Sequence, residues 1–269
     1  MIASTPASPV RRRIAVVTGA SAGIGAEIAR DLAARGFDLA LVARRRPELE
    51  ALARELTREG APAPLVVALD LTRPDAAEAL LAALPEAEFE IAALVNNAGF
   101  GLRGRADEVS AADQLALLDL NIRALTALTL AFLPRLKAAK GKILNVASVV
   151  AFMPGPGMAV YYASKGYVLN FSEALAQEMK GAGVTVTTLC PGPVETAFWD
   201  RAGGAIDRLR ALAPMSAREA AKAGVAAMLA GKRRITPGLL NKLAALAAPA
   251  TPRQILLPLV EALQPPRKR

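Results

Sequence analysis

Ser148, Tyr161 and Lys165, downstream of the turn Thr18-Gly19-Ala20-Ser21-Ala22-Gly23-Ile24-Gly25, are the residues whose types and spacing carry chemistry in this chain. A phenol trades protons poorly near neutral pH. A lysine four residues further along a helix shares its face and supplies the help it needs. With a glycine-rich, nucleotide-binding type of turn upstream, the constellation points to redox chemistry on a carbonyl or an alcohol. The chain contains no histidine, which excludes a Ser-His-Asp or Cys-His nucleophile and a His-ligated metal site. Proton transfer must then fall to Tyr, Lys, Asp or Glu, and no metal is expected.

The elements that must position these groups follow from periodicity. Short apolar runs alternate with longer helical patterns, the βαβ rhythm of a parallel sheet. Strands are expected at 14–18, 39–43, 65–69, 92–96, 142–147, 184–189 and 233–236, and helices near 23–35, 47–59, 76–84, 111–139, 160–180 and 217–230. The strands are almost continuously apolar, so the fold class is α/β, a doubly wound parallel sheet of about seven strands with helices on both faces. A length of 269 residues with 53% hydrophobic residues suits one domain over 11–269, preceded by a flexible tail at 1–10.

Charge and cysteine usage narrow the partners. The net charge of +9 is scattered apart from short runs such as Arg11–Arg13, Arg44–Arg46 and Arg267–Arg269, and it reads as solvated surface rather than a nucleic-acid footprint. One cysteine, Cys190, excludes an intramolecular disulfide. The uncharged stretch 143–164 has the length of a membrane span but is broken by Asn145, Pro154, Gly155, Pro156 and Gly157. No transmembrane segment is expected, and the chain is expected in the cytoplasm.

The glycine-rich turn can be read atom by atom. Gly19 permits the tight turn after a strand, Gly23 lets backbone approach a ligand, and Gly25 allows close helix packing, while the helix N-terminus offers free N–H groups to a pyrophosphate. A carboxylate after the second strand would suit the ribose 2′-hydroxyl of NAD, whereas arginine suits the 2′-phosphate of NADP. The sequence there is Val42-Ala43-Arg44-Arg45-Arg46. NADP(H) is therefore expected over NAD(H), with Arg44 and then Arg45 as the selecting residues and Arg46 as a solvated helix entry.

The ordered set of motifs resembles the short-chain dehydrogenase/reductase family over nearly the whole chain. It comprises the Thr18 turn, Asp70 after the third strand, Asn96-Asn97-Ala98-Gly99, Asn121, Ser148, Tyr161-x-x-x-Lys165 and Pro191-Gly192-x-x-x-Thr196. The resemblance implies a single-domain Rossmann fold and a catalytic tetrad of Asn121, Ser148, Tyr161 and Lys165. In it Tyr161 moves the proton, Lys165 holds the ribose hydroxyls, Ser148 donates to the oxyanion and Asn121 holds a relay water. Lys165 and the cationic nicotinamide are expected to lower the Tyr161 pKa. The implied cofactor set is Gly19, Ser21, Ala22, Gly23, Ile24, Gly25, Arg44, Arg45, Asp70, Leu71, Asn97, Ala98, Gly99, Tyr161, Lys165, Pro191, Gly192, Val194 and Thr196. Asp70 and Leu71 border the adenine. The interval from Ser148 matches the family and selects Tyr161 over Tyr162 and Tyr167. Cys190 reads as a buried strand-end residue rather than a nucleophile.

Phe100, Leu102, Phe152, Met153, Met158, Phe198 and Trp199 are candidate pocket residues, which favours a lipophilic carbonyl or alcohol substrate; closing the core is the competing role. Residues 198–215 resemble the family's substrate lid. The segment 237–264 is expected as a helical extension, its Pro237–Lys242 motif similar to the ketoacyl and hydroxysteroid reductase branch. It could cap the pocket, form a subunit contact or lie on a membrane surface, and a packed subunit or pocket contact is the expectation. The resemblance also implies a homodimer or homotetramer. A noncatalytic dinucleotide sensor, or a lyase or epimerase on the same fold, are the alternative functions.

Overall fold

The computed structural model describes residues 11–194 and 215–263. Seven parallel strands form one sheet in the order β3-β2-β1-β4-β5-β6-β7: β1 (Arg12–Thr18), β2 (Asp38–Ala43), β3 (Leu65–Ala68), β4 (Phe89–Asn96), β5 (Lys142–Val146), β6 (Thr185–Leu189) and β7 (Arg234–Ile235). The order reverses between β1 and β4, so their carboxyl ends open a crevice where such sheets bind ligands. Each expected strand is present, with β4 beginning three residues earlier and β7 reduced to two residues.

Helices cover both faces. On one side α1 (Gly23–Ala34), α2 (Arg46–Arg58) and α7 (Ala217–Leu229) pack Ile28, Leu32, Leu49 and Val225 against Ala15 and Val17. On the other, α3 (Ala76–Ala82), α5 (Leu125–Ala139) and α6 (Ala159–Glu178) pack Leu80, Phe132, Leu136 and Leu175 against Ile14 and Val16. Both faces of β1 are buried, which is why it reads as an unbroken apolar run. Two further helices, α8 (Leu239–Ala250) and α9 (Arg253–Leu263), follow β7.

The single helix expected at 111–139 is instead α4 (Ala111–Leu118), a π-helical turn at Asp119–Ala124, and α5. Apolar spacing does not register one inserted residue, and such π turns gather at functional sites. The run Ala111–Ala139 is long and apolar enough to cross a membrane, but Leu117, Leu128, Phe132 and Leu136 sit in the core. The stretch 143–164 resolves into β5, a 3-10 turn at Val149–Phe152 and the start of α6.

Buried polar groups set the register of the site-bearing elements. Asn96 Nδ2 donates to Thr129 Oγ1 of α5 at 3.0 Å and to Asn145 Oδ1 of β5 at 2.9 Å. Asn145 Nδ2 in turn donates to Ser172 Oγ of α6 at 2.8 Å. At the crevice, Thr18 Oγ1 donates to Val95 O at 3.0 Å and accepts from the backbone N–H groups of Asn97 and Ala98 at 3.0 and 3.1 Å. One hydroxyl thus ties the end of β1 to the end of β4. Thr18→Val keeps the shape but strands two N–H donors, and we expect it to cost about 2–4 kcal/mol, read as a lower urea midpoint with an unchanged m-value.

Candidate active site

The glycine-rich turn is shaped by what it lacks. Gly19 and Gly23 adopt φ of 67° and 58°, a region open to glycine at little cost. A Cβ on Gly25 would lie 2.3 Å from Gly19 O and 2.4 Å from Asn97 Nδ2. Gly25 therefore packs α1 onto the turn itself. Asn97 Nδ2 donates to Thr18 O at 3.0 Å and Gly19 O at 3.3 Å, locking the turn to the segment after β4. The N-terminus of α1 has no side-chain cap and no acid in its first turn, which leaves its N–H groups and dipole to an anion.

A cleft of about 790 Å³ runs from this turn along the carboxyl ends of the strands. Its first end is basic. Arg45 Nη2 donates to Ser21 Oγ at 3.2 Å and pairs with Glu48 at 3.0 Å. Arg44 lines the same wall, and among the described residues it has no ion-pair partner. Arg46 faces Glu50 at 3.6 Å on the surface. Asp70 Oδ1 accepts from Thr72 N at 3.0 Å and Thr72 Oγ1 at 2.8 Å. The Thr72 backbone N–H is the main cause holding the Asp70 carboxyl below its usual range, and Arg44 adds to it. Leu71, Asn97, Ala98 and Gly99 continue the wall.

At the other end Ser148, Tyr161 and Lys165 converge, all at least nine-tenths buried. Lys165 Nζ donates to Val146 O, the last carbonyl of β5, at 2.9 Å, and lies 5.9 Å from the centre of the Tyr161 ring. Burial pushes the lysine down to about 8. Burial also pushes the Tyr161 hydroxyl above its ordinary value, more than the hydrogen bond with Ser148 lowers it. The expected lowering by Lys165 is not found: desolvation of the phenol dominates, and what lowering there is comes from Ser148. Besides Tyr161, Ser148 Oγ accepts from Val150 N at 3.3 Å and donates over a long 3.4 Å to Pro191 O.

Asn121 lies behind the cleft wall rather than on it. The π turn aims its amide at the backbone of Phe100, accepting from N at 3.1 Å and donating to O at 3.0 Å, and Nδ2 also donates to Ser164 Oγ at 3.1 Å. A Cβ on Gly99 would meet Asn121 Oδ1 at 2.9 Å and Lys165 Nζ at 3.6 Å. Gly99 thus lets the two groups share one wall.

Of the remaining sequence candidates, Ala22, Ile24, Phe100, Met153, Met158, Pro191, Gly192 and Val194 line the cleft. Leu102 lines a separate small depression beside Met158, and the Phe152 ring lies under the guanidinium of Arg234 at 5.2 Å. Neither lines the main cleft; both pack against the buried cluster of Met158, Tyr161 and Tyr162. Thr196, Phe198, Trp199 and all of the expected lid over 198–215 except Met215 fall outside the described residues. Cys190 is fully buried, with burial pushing its thiol up to about 12. Sequence reasoning passed over Thr72, readable as an Asp-x-Thr turn, and Asn241, whose amide fills the space a Cβ on Gly192 would occupy, 2.3–2.5 Å away. Tyr162, Leu240, Ala244 and Val260 also reach the cleft.

Residues 13–205 match the family model described as short chain dehydrogenase. The sulfoacetaldehyde reductase of Chromohalobacter salexigens is 40% identical over 185 residues, 68% of this chain and 72% of its own. The serine 3-dehydrogenase of Agrobacterium fabrum is 39% identical over 184 residues, with the same coverage. A solved short-chain dehydrogenase from Sphingobium yanoikuyae, in complex with NADPH, superposes with a TM-score of 0.78 at 36% identity over 87% of this chain and 92% of that one.

A buried ammonium carries a pH signature. Between pH 8 and 10.5 the unfolded lysine holds more proton than the native one, so stability rises with pH across that window. The drop from 10.5 to about 8 corresponds to roughly 3 kcal/mol at neutral pH. Lys165→Met is therefore expected to be more stable than the parent at pH 7 by at most about that amount, the gain shrinking toward pH 10, as chemical denaturation at the two pH values will read.

Proposed function

The chain belongs to the short-chain dehydrogenase/reductase family and is an oxidoreductase of alcohol or carbonyl groups; from that premise we propose that it reduces a lipophilic ketone, aldehyde or acyl-chain carbonyl with NADPH. One observation carries the reading. A single cleft joins an arginine pair with a serine hydroxyl at one end to a buried Ser-Tyr-Lys group at the other. The residues present fit NADP(H): the uncapped start of α1 for the pyrophosphate, Ser21, Arg44 and Arg45 for a 2′-phosphate, and Asp70, Leu71 and Asn97–Gly99 along the adenosine. Thr196, outside the described residues, belongs to the same proposed set, and residues 198–215 are proposed as the substrate lid.

When bound, the cofactor supplies a hydride. The chain's own groups do the rest. Tyr161 gives its proton to the carbonyl oxygen, and its burial keeps the phenol protonated, the form that reduction needs. Ser148, which accepts from Val150 N at 3.3 Å and donates only over 3.4 Å to Pro191 O, turns its hydroxyl to the developing oxyanion. Lys165, anchored on Val146 O, keeps two N–H donors for the ribose hydroxyls and stands beside the phenol. Both amide protons of Asn121 are committed, so its part in proton resupply falls to its acceptor positions. Met153, Met158, Leu240 and Val260 give the substrate end an apolar lining. Exposed Leu115, Leu130 and Tyr167 support pairing through α4, α5 and α6 in a homodimer or homotetramer, and a cytoplasmic location completes the reading.

The test is NADPH and NADH consumption against a graded panel of aliphatic, aromatic and steroidal carbonyls. Tyr161→Phe is expected to lose about 10²–10⁴ in kcat; turnover that survives removes Tyr161 from its role. Arg44→Ala with Arg45→Ala is expected to raise the KM for NADPH about 10- to 100-fold while leaving that for NADH nearly unchanged. Binding of NADPH without turnover of any carbonyl would favour a dinucleotide sensor, or a lyase or epimerase.

A further inference from the structure

Among the described residues, eight of the eleven exposed large apolar side chains lie between Leu239 and Leu263. On α8, Leu239, Leu243 and Leu246 recur at helical spacing, and Leu239 and Leu246 are 73% and 70% exposed. On α9, Ile255 and Leu259 form a matching stripe, 62% and 56% exposed. The opposite sides are used: Ala248, Leu256 and Val260 are buried, and Leu240, Asn241, Ala244 and Val260 line the cleft. The same two helices are thus a wall of the cleft on one side and a greasy surface on the other. That is more apolar exposure than scattered surface leucines need.

We propose that α8 and α9 dock the enzyme on an anionic lipid bilayer surface, with the mouth of the cleft beside it. Charge selects the occupant. Lys242 and Arg253 fringe the apolar stripe, Glu261 is the one acid between Leu239 and Leu263, and the sequence that follows adds Arg267, Lys268 and Arg269. A bilayer with acidic headgroups complements that fringe. A second copy meeting this face across a two-fold axis would set the same basic groups against each other. With 12 and 11 residues the helices are too short to span a bilayer, and Pro249, Pro252 and Pro258 punctuate them, so they lie in the interface plane. The docking stands by itself. Its consequence, that a bilayer-partitioned carbonyl enters the cleft without crossing water, rests on the reductase reading.

The experiment is co-sedimentation of the full-length protein with vesicles of phosphatidylcholine alone and of phosphatidylcholine mixed with phosphatidylglycerol. The parent is expected on the anionic vesicles and to be released by high salt in part. Lys242→Glu with Arg253→Glu is expected to weaken binding about tenfold or more, and Leu243→Glu with Leu246→Glu to abolish it. Neither pair lines the cleft, so both variants keep the parent's melting behaviour and its turnover of a water-soluble carbonyl. Absence of the parent from anionic vesicles, equal binding to neutral ones, or a smaller oligomer for the leucine variant would each overturn the proposal, the last assigning the face to a second copy. Sedimentation needs no turnover, so failure of docking and failure of the reductase reading are seen separately.

Discussion

An ammonium buried to 6% exposure is the constraint around which this molecule is arranged. Leaving water costs an ion several kcal/mol unless polar partners replace it, and the partner present is Val146 O, the last carbonyl of β5. Two residues later the chain presents Ser148. The strand end that holds the lysine therefore also delivers the serine. Across the wall, Gly99 leaves no Cβ where Asn121 Oδ1 and Lys165 Nζ approach. Moving any of these groups by an ångström would cost either a hydrogen bond or a steric overlap.

A parallel sheet meets this demand because its carboxyl ends lie along one edge. The two ends of the cleft are joined by polar side chains rather than by apolar packing alone. Thr18 and Asn97 fasten the dinucleotide-type turn to the end of β4. Asn96 and Asn145 fasten β4 to β5, with Thr129 and Ser172 drawing α5 and α6 onto them. Because hydrogen bonds have narrow geometry, they fix register in a way that interchangeable Val and Ile contacts do not. The helix carrying Tyr161 and Lys165 is positioned through that ladder.

What was legible in the sequence was what repeats or what chemistry forces. Seven apolar runs gave seven strands, the glycines gave the turn, and the Tyr-x-x-x-Lys spacing gave the shared helical face, since each is a local property. The π turn was not legible, because inserting one residue changes the hydrogen-bond ladder without disturbing apolar composition. Asn121 accordingly stood out only through resemblance. For Leu102 and Phe152 the sequence left open cleft or core, and the choice falls to tertiary neighbours: both pack against the cluster around Met158, with Arg234 over the Phe152 ring. Asn241 falls in the 237–242 motif, but its place at the cleft was not legible for a related reason: its seat over Gly192 joins residues from distant parts of the chain.

Burial acts on the tyrosine and the lysine in the same sense, towards the neutral form of each, and it thereby bears on direction. The phenol is raised and the ammonium lowered to about 8. On the proposed assignment, reduction draws on the protonated phenol and oxidation on the phenolate. A desolvated pocket stores the first at no electrostatic cost and admits the second only when positive charge enters the cleft. At neutral pH Lys165 still holds most of its proton, because its value lies above the ambient pH, and so it can attract ribose oxygens and support the phenolate left after proton donation. The environment is poised for a carbonyl to receive a proton. On the same proposed assignment it returns to that poise once the tyrosine is reprotonated through the wall that Asn121 helps to build.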